Sequence, residues 1–220
     1  ISAKVIADSI YNGKRITSLQ LVLPRFILAQ LNTHRAFSRS TASSRAIPTT
    51  KLIEQVLNEP VIPIHWGLNQ SGMQASAEVL SEAKQKARNA WLESANAAAA
   101  YAEELLSYDI HKQRVNRVLE PYMWAHTIVT STEWDNFFHL RISDDAQPEI
   151  QQLAICMKEA MDKSTPKETM HPLPYITYEE MLDSMDKDDN DNLYRYFAPI
   201  SAARCARVSY LNHDQSQPDI

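Results

Sequence analysis

The stretch "RITSLQLVL" (15–23) alternates apolar and polar positions and puts Thr17, Leu19, Leu21 and Leu23 on one side. A period of two over this length predicts a strand with one buried face. Proline suits the first turn of a helix, so Pro24 opens a helix through "PRFILAQLNTHR", roughly 24–34. The next stretch, 35–48, carries hydroxyls at Ser38, Ser40, Thr41, Ser43 and Ser44. Such side chains prefer caps and turns to helix interiors, so this segment is expected to be mostly loop. Pro48 begins another short helix, and "EPVIPIHWGLNQSGMQ" (59–74) reads as a loop holding two of only three glycines. The Ala-rich stretch 75–107 predicts one long helix, a scaffold element of very high propensity. "HKQRVNRVLEP" is a short helix ending before Pro121, with Arg114 and Arg117 on one face. "AQPEIQQLAICMKEAMDK" (146–163) is an amphipathic helix. The acidic "SMDKDDNDN" (184–192) reads as an exposed linker or mobile loop. In "ISAARCARVSY" (200–210), Arg204 and Arg207 share one helical face. There are no internal repeats.

Composition narrows the class. At 220 residues, 44% hydrophobic and 22% charged, the chain has the make-up of one soluble globular domain. Lys+Arg 22 against Asp+Glu 27 leaves a net charge of −5, which argues against general nucleic-acid binding and for a local anion site. Charge is unevenly placed: from Ser9 to Ile53 there is no Asp or Glu, while Lys14, Arg15, Arg25, Arg35, Arg39, Arg45 and Lys51 carry +7. A charge run is ordinarily a solvated face, but these cations are spread through apolar sequence, so several must lie beside the core. Cys156 and Cys205 have no CxxC spacing, which fits buried thiols in a reducing, cytoplasmic setting. No apolar run approaches a membrane span, and the first residues do not read as a signal peptide. The chain begins without Met and stops at "SQPDI", which suggests a longer natural protein.

Several chemistries lack their fingerprints. There is no GxGxxG, no GxxxxGK[ST], no HExxH, no zinc deaminase pattern and no GxSxG elbow. The seven histidines are scattered, and no metal site is expected. What stands out is a set of arginines in apolar or hydroxyl-rich contexts: Arg35, Arg45, Arg117 and Arg141. The planar guanidinium pairs bidentately with phosphate and with pyrimidine carbonyls. Hydroxyls complete a phosphate cage without adding counter-charge, and "SRSTASSRA" offers no acidic partner nearby. The pattern points to a phosphorylated small molecule or nucleotide and does not name a reaction.

Three blocks resemble one family. "LVLPRFILAQLNTHRAFSRSTASSRA" resembles the signature region of the flavin-dependent thymidylate synthases (ThyX), whose motif runs RHRxxSxNExSxRY after a helix carrying a Gln. "RVNRVLEP…NFFHLRISDDAQPEIQQLA" is similar to the family's ARxxLP…NFLxLRxxxxAQxEIxxxA, and "ISAARCARVSY" to its xxAARVSF. The last block comes early in the family and late here, at 200–210, so the resemblance implies a circular permutation within a single domain over 1–220. A permuted chain is then expected to continue past Ile220 into an HxxPFEH-like segment.

By matching position, the resemblance implies substrate contacts at Gln30, Ser43, Arg45, Arg117 and Arg141. Ser43 and Arg45 would hold the dUMP phosphate, and Arg141 would contact the uracil and polarise it. Flavin contacts fall to His34, Arg35, Asn136 and Ser209. Departures cluster on the flavin side: Thr33 for the first Arg of RHR, Ser40-Thr41 for Asn-Glu, Ala46 for Tyr, and Thr130-Ser131-Thr132 for the family's NAR. The implied fold is α/β (α+β), a central mainly antiparallel sheet flanked by long helices. The implied activity is reductive methylation of dUMP at C5, with FAD, methylene-tetrahydrofolate and NADPH. The implied assembly is a homotetramer with sites between subunits, without membrane or nucleic-acid partners. The altered flavin side keeps two alternatives open: a different pyrimidine modification such as hydroxymethylation, or a flavin-free nucleotide-binding or assembly protein.

Overall fold

The computed structural model describes residues 1–75, 77–176, 180–181 and 190–207. Strand β1 (Ser2–Tyr11) and strand β2 (Lys14–Pro24) form an antiparallel hairpin. Their turn is Asn12-Gly13, with φ of 49° and 75°. Positive φ at both central residues matches the right-handed strand twist, and Asn-Gly is the pair that adopts it at least cost. Strand β3 (Ser38–Thr41) and strand β4 (Trp124–Ser131) pair antiparallel, and β4 pairs antiparallel with β2. The two-residue β5 (Lys167–Glu168) runs parallel to β1, giving the order β3-β4-β2-β1-β5. This is the mainly antiparallel sheet expected.

The predicted β2 pattern holds: Thr17, Leu19, Leu21 and Leu23 are all fully buried. Directly paired residues share a sheet face, so Leu19, Leu21 and Leu23 stand with Val129, Thr127 and Ala125. Onto this face pack helix α1 (Leu28–Asn32), helix α5 (Asp135–Arg141) and helix α6 (Pro148–Asp162), through Leu31, Phe137, Ile150, Leu153 and Met157. A second core joins helix α2 (Thr49–Asn58), helix α3 (Ser81–Ser107) and helix α4 (Lys112–Leu119). Here α3 buries Ala95, Ala98, Ala99 and Ala102, a stripe at helical spacing. Small side chains let α3 lie close to its neighbours, so this helix is the scaffold for α4.

Several expectations need correction. Segment 35–48 contains strand β3, because its hydroxyl residues pair with the edge of β4. The helix expected at 24–34 is a short 3-10 turn, Arg25–Ile27, followed by α1. The long helix starts at Ser81, not 75, because residues 66–68 capture the preceding backbone: Leu68 N donates to Ala77 O at 2.7 Å and Val79 N to Trp66 O at 2.9 Å. A Cβ on Gly67 would lie 2.3 Å from the Ala75 Cβ, so that close approach requires glycine. Helix α7 (Asn190–Arg207) begins inside the stretch read as a linker, whose residues 184–189 lie outside the described residues. Both cysteines are free and half-buried rather than fully buried.

Candidate functional site

Of the seven cations in the acid-free window, several find carboxylates elsewhere. Arg15 donates to both Asp8 oxygens at 2.8 and 2.7 Å, Lys14 lies 3.7 Å from Glu133, and Arg25 meets Glu120 at 3.4 Å. Arg39 donates to the His34 carbonyl at 2.6 Å. Arg35 and Arg45 are exposed and have no hydrogen-bond or ion-pair partner among the described residues. The bland reading therefore accounts for part of the window and leaves these two guanidiniums uncompensated.

The Arg45 loop is held by α4 and the residue just beyond it. Lys112, Asn116 and Glu120, spaced four apart, lie along one face. Lys112 Nζ donates to Ala46 O at 3.1 Å. Buried Asn116 donates to Ser44 O at 2.6 Å and Ile47 O at 3.0 Å, and accepts from Thr49 at 2.6 Å. Glu120 Oε1 accepts from Ser44 Oγ at 2.9 Å and from Arg117 Nη1 at 2.5 Å. The fold thus supplies the acidic partner that the local sequence lacks, and it joins the Ser43–Arg45 segment to Arg117. Ser43 is half-buried, and its carbonyl accepts from Ala46 N at 2.9 Å, closing the turn that presents Arg45.

The second group is built on the chain just before β3, whose four residues span about 10 Å at 3.3 Å per residue. Arg141, at the end of α5, donates from Nε to His34 Nε2 at 2.9 Å. The imidazole is boxed by Phe37 and by Phe137, which it meets edge-on at 4.8 Å. Burial, then the Arg141 and Arg39 charges, hold the His34 pKa below its ordinary value. A neutral ring with its proton on Nδ1 is what the Arg141 hydrogen bond requires. His34 was matched to a flavin contact, yet in this fold its Nε2 is engaged by Arg141. Gln30 donates to Gln147, Gln147 to Glu149 at 2.9 Å, and Glu149 accepts Ile64 N at 3.1 Å. This relay joins the helix Gln to the AQPEI block and gives that block a structural role.

Asn136 is exposed on α5, next to Phe137, and has no partner among the described residues. Ser209 lies outside the described residues. Arg204 of α7 pairs with Glu180 at 2.7 Å, while Arg207 is exposed. A cavity of about 480 Å³ opens elsewhere, lined by Ile1, Val22, Gln55, Glu59, Pro60, Trp124 and His126. Val22 and His126 are register partners, so the cavity lies on the sheet face opposite the Leu19–Leu21–Leu23 core. None of the sequence-predicted residues lines it. Sequence reasoning missed Asn116 and Glu120, which stand at the Ala and Leu positions of ARxxLP. The polar stripe Lys112-Asn116-Glu120 was the available signal.

A mainly antiparallel α+β fold, with one arginine–hydroxyl loop and a second arginine fixed by a neutral histidine, defines a class of protein suited to an anionic, carbonyl-bearing small molecule. The family model described as thymidylate synthase complementing protein, Thy1, matches residues 16–167, well over half the chain. The chain belongs to this family, the flavin-dependent thymidylate synthases whose motifs it resembles. Among solved structures it is similar to the flavin-dependent thymidylate synthase ThyX from Helicobacter pylori complexed with FAD and dUMP: 22% identity, 66% of this chain and 67% of that chain covered, TM-score 0.44. A second structure of ThyX from Helicobacter pylori with FAD and dUMP gives 20% identity, the same shares of 66% and 67%, and a TM-score of 0.45. No curated protein matches the chain. No helix among the described residues is long and apolar enough to cross a membrane.

Proposed function

We propose that this chain carries out the family reaction, reductive C5-methylation of dUMP to dTMP, as a cytoplasmic homotetramer with active sites between subunits. The observation that carries the reading is the Ser44–Glu120–Arg117 junction, which joins two motif blocks far apart in sequence. In this reading Ser43, Arg45 and Arg117 receive the 5′-phosphate. Arg141 receives a uracil carbonyl. Its Nε is committed to His34, so the terminal amino groups stay free to meet the pyrimidine and stabilise negative charge developing on its oxygen. Gln30, four residues before His34, would line the base side. The outward-facing Arg35, Arg45 and Asn136 support a site completed by another subunit.

Flavin fits the residues present. Arg35 and Asn136 flank the His34–Phe137 ring contact, carry N–H donors, and have no partner among the described residues. With His34 at the edge, and with Ser209 from the late AARCARVSY segment, they would hold FAD. Bound FAD supplies the redox equivalents, with NADPH as reductant and methylene-tetrahydrofolate as one-carbon donor. The test is twofold. Purified protein loaded with FAD should show flavin absorption bands after gel filtration; colourless protein that still binds dUMP supports a flavin-free binding role instead. Arg45→Ala should weaken dUMP binding about a hundredfold, and unchanged affinity would remove the phosphate from this loop.

A further inference from the structure

Glu120 occupies an unusual position for an acidic residue. The family pattern ARxxLP has leucine there, and this chain sets a carboxylate among the cations of the phosphate loop. Three donors converge on its single oxygen Oε1: Arg117 Nη1 at 2.5 Å, Ser44 Oγ at 2.9 Å and Arg25 Nη2 at 3.4 Å. Its other oxygen, Oε2, has no hydrogen-bond partner among the described residues. The Glu120 side chain is 26% exposed, so its charge is only partly screened by water.

We propose that Glu120 is a specificity-determining residue of this cradle, favouring a nucleoside monophosphate over the corresponding triphosphate. The proposal rests on the reading that the Ser43–Arg45 loop and Arg117 receive the 5′-phosphate. A monophosphate can use Arg45, which is unpaired, and the N–H groups of Arg117 that Glu120 leaves free. Every further phosphate brings more negative charge to within a Debye length of the Glu120 carboxylate. The repulsion grows in proportion to ligand charge. Glu120 therefore penalises a triphosphate more than a monophosphate. Its uncharged isostere, glutamine, still offers an oxygen to Ser44 and Arg117, so the loop keeps its tether while the charge disappears.

The experiment is calorimetric titration of the full chain with dUMP and with dUTP at low ionic strength. Glu120→Gln should raise dUTP affinity about tenfold more than dUMP affinity, a difference of about 1.4 kcal/mol, and added salt should shrink the gap. Glu120→Asp, which keeps the charge, should retain the wild-type preference. An unchanged dUTP-to-dUMP ratio in Glu120→Gln overturns the proposal, as does an equal shift in Glu120→Asp. Arg45→Ala separates the two layers. If it loses both nucleotides while the Gln variant shows no shift, the phosphate site stands and the role of Glu120 falls. If it binds both as wild type does, the phosphate reading falls and the proposal with it.

Discussion

His34 shows how one side chain can set the behaviour of another. Its neutral Nε2 accepts from Arg141, and the groups facing it are Arg141 from α5, Arg39 from β3, and the rings of Phe37 and Phe137. Its pKa is lowered in the fold. The folded state therefore favours the neutral ring. The resulting stability is present above the ordinary histidine pKa of about 6.5 and is lost as pH falls from there through the lowered value. Arg141 keeps its tether across neutral pH and loses it only when the folded ring itself protonates. A pH–rate profile should thus have an acid limb below the ordinary histidine range. His34→Gln, which offers a non-titrating acceptor, should keep most of the rate and flatten that limb, whereas His34→Ala should lower kcat more than it raises KM. An acid limb unchanged in His34→Gln would place its origin elsewhere. The sequence motif supplied His34 and Arg141 as separate residues with separate duties. Their pairing was not legible, because contacts over 107 positions depend on how α5 is laid against the end of α1.

At the scale of elements, α3 decides where α4 stands, and α4 decides where the Ser43–Arg45 loop stands. Ala95, Ala98, Ala99 and Ala102 form the contact stripe, and Ala99 is 1% exposed. Ala99→Leu should push α3 off its partners, costing about 1–3 kcal/mol of stability. Because α4 carries Lys112, Asn116 and Glu120, dUMP affinity should fall with it, whereas the same change at exposed Ala97 should do neither. Thermal unfolding and dUMP titration of the two variants check this. Elements with one clean period were legible: β2 by its alternation, α6 by its amphipathic face. Strand β4 was not: its buried face, Ala125, Thr127, Val129 and Ser131, mixes apolar with hydroxyl side chains, so burial alternates where hydropathy does not. Strand β1 was missed for the opposite reason, a largely half-buried strand with a bulge between Val5 and Ala7. Its Asn12-Gly13 turn was the usable signal.

For the whole molecule, the fold class followed from motif resemblance rather than from periodicity, since β2 alone of the five strands was predicted. The motif blocks named residues that the fold joins in pairs: the Ser43–Arg45 segment to Arg117 through Glu120, and His34 to Arg141. What the blocks could not disclose was the Asn116–Glu120 clamp. It sits at positions where this chain departs from the family pattern, and its partners come from a loop about 70 residues away, as the separations of 72 and 76 show. The central claim is the reaction. The full chain, supplied with FAD, NADPH, methylene-tetrahydrofolate and dUMP, should yield dTMP, heavier than dUMP by one CH2 when read by mass spectrometry. Recovery of dUMP unchanged, or of a hydroxymethylated nucleotide in place of dTMP, would contradict it.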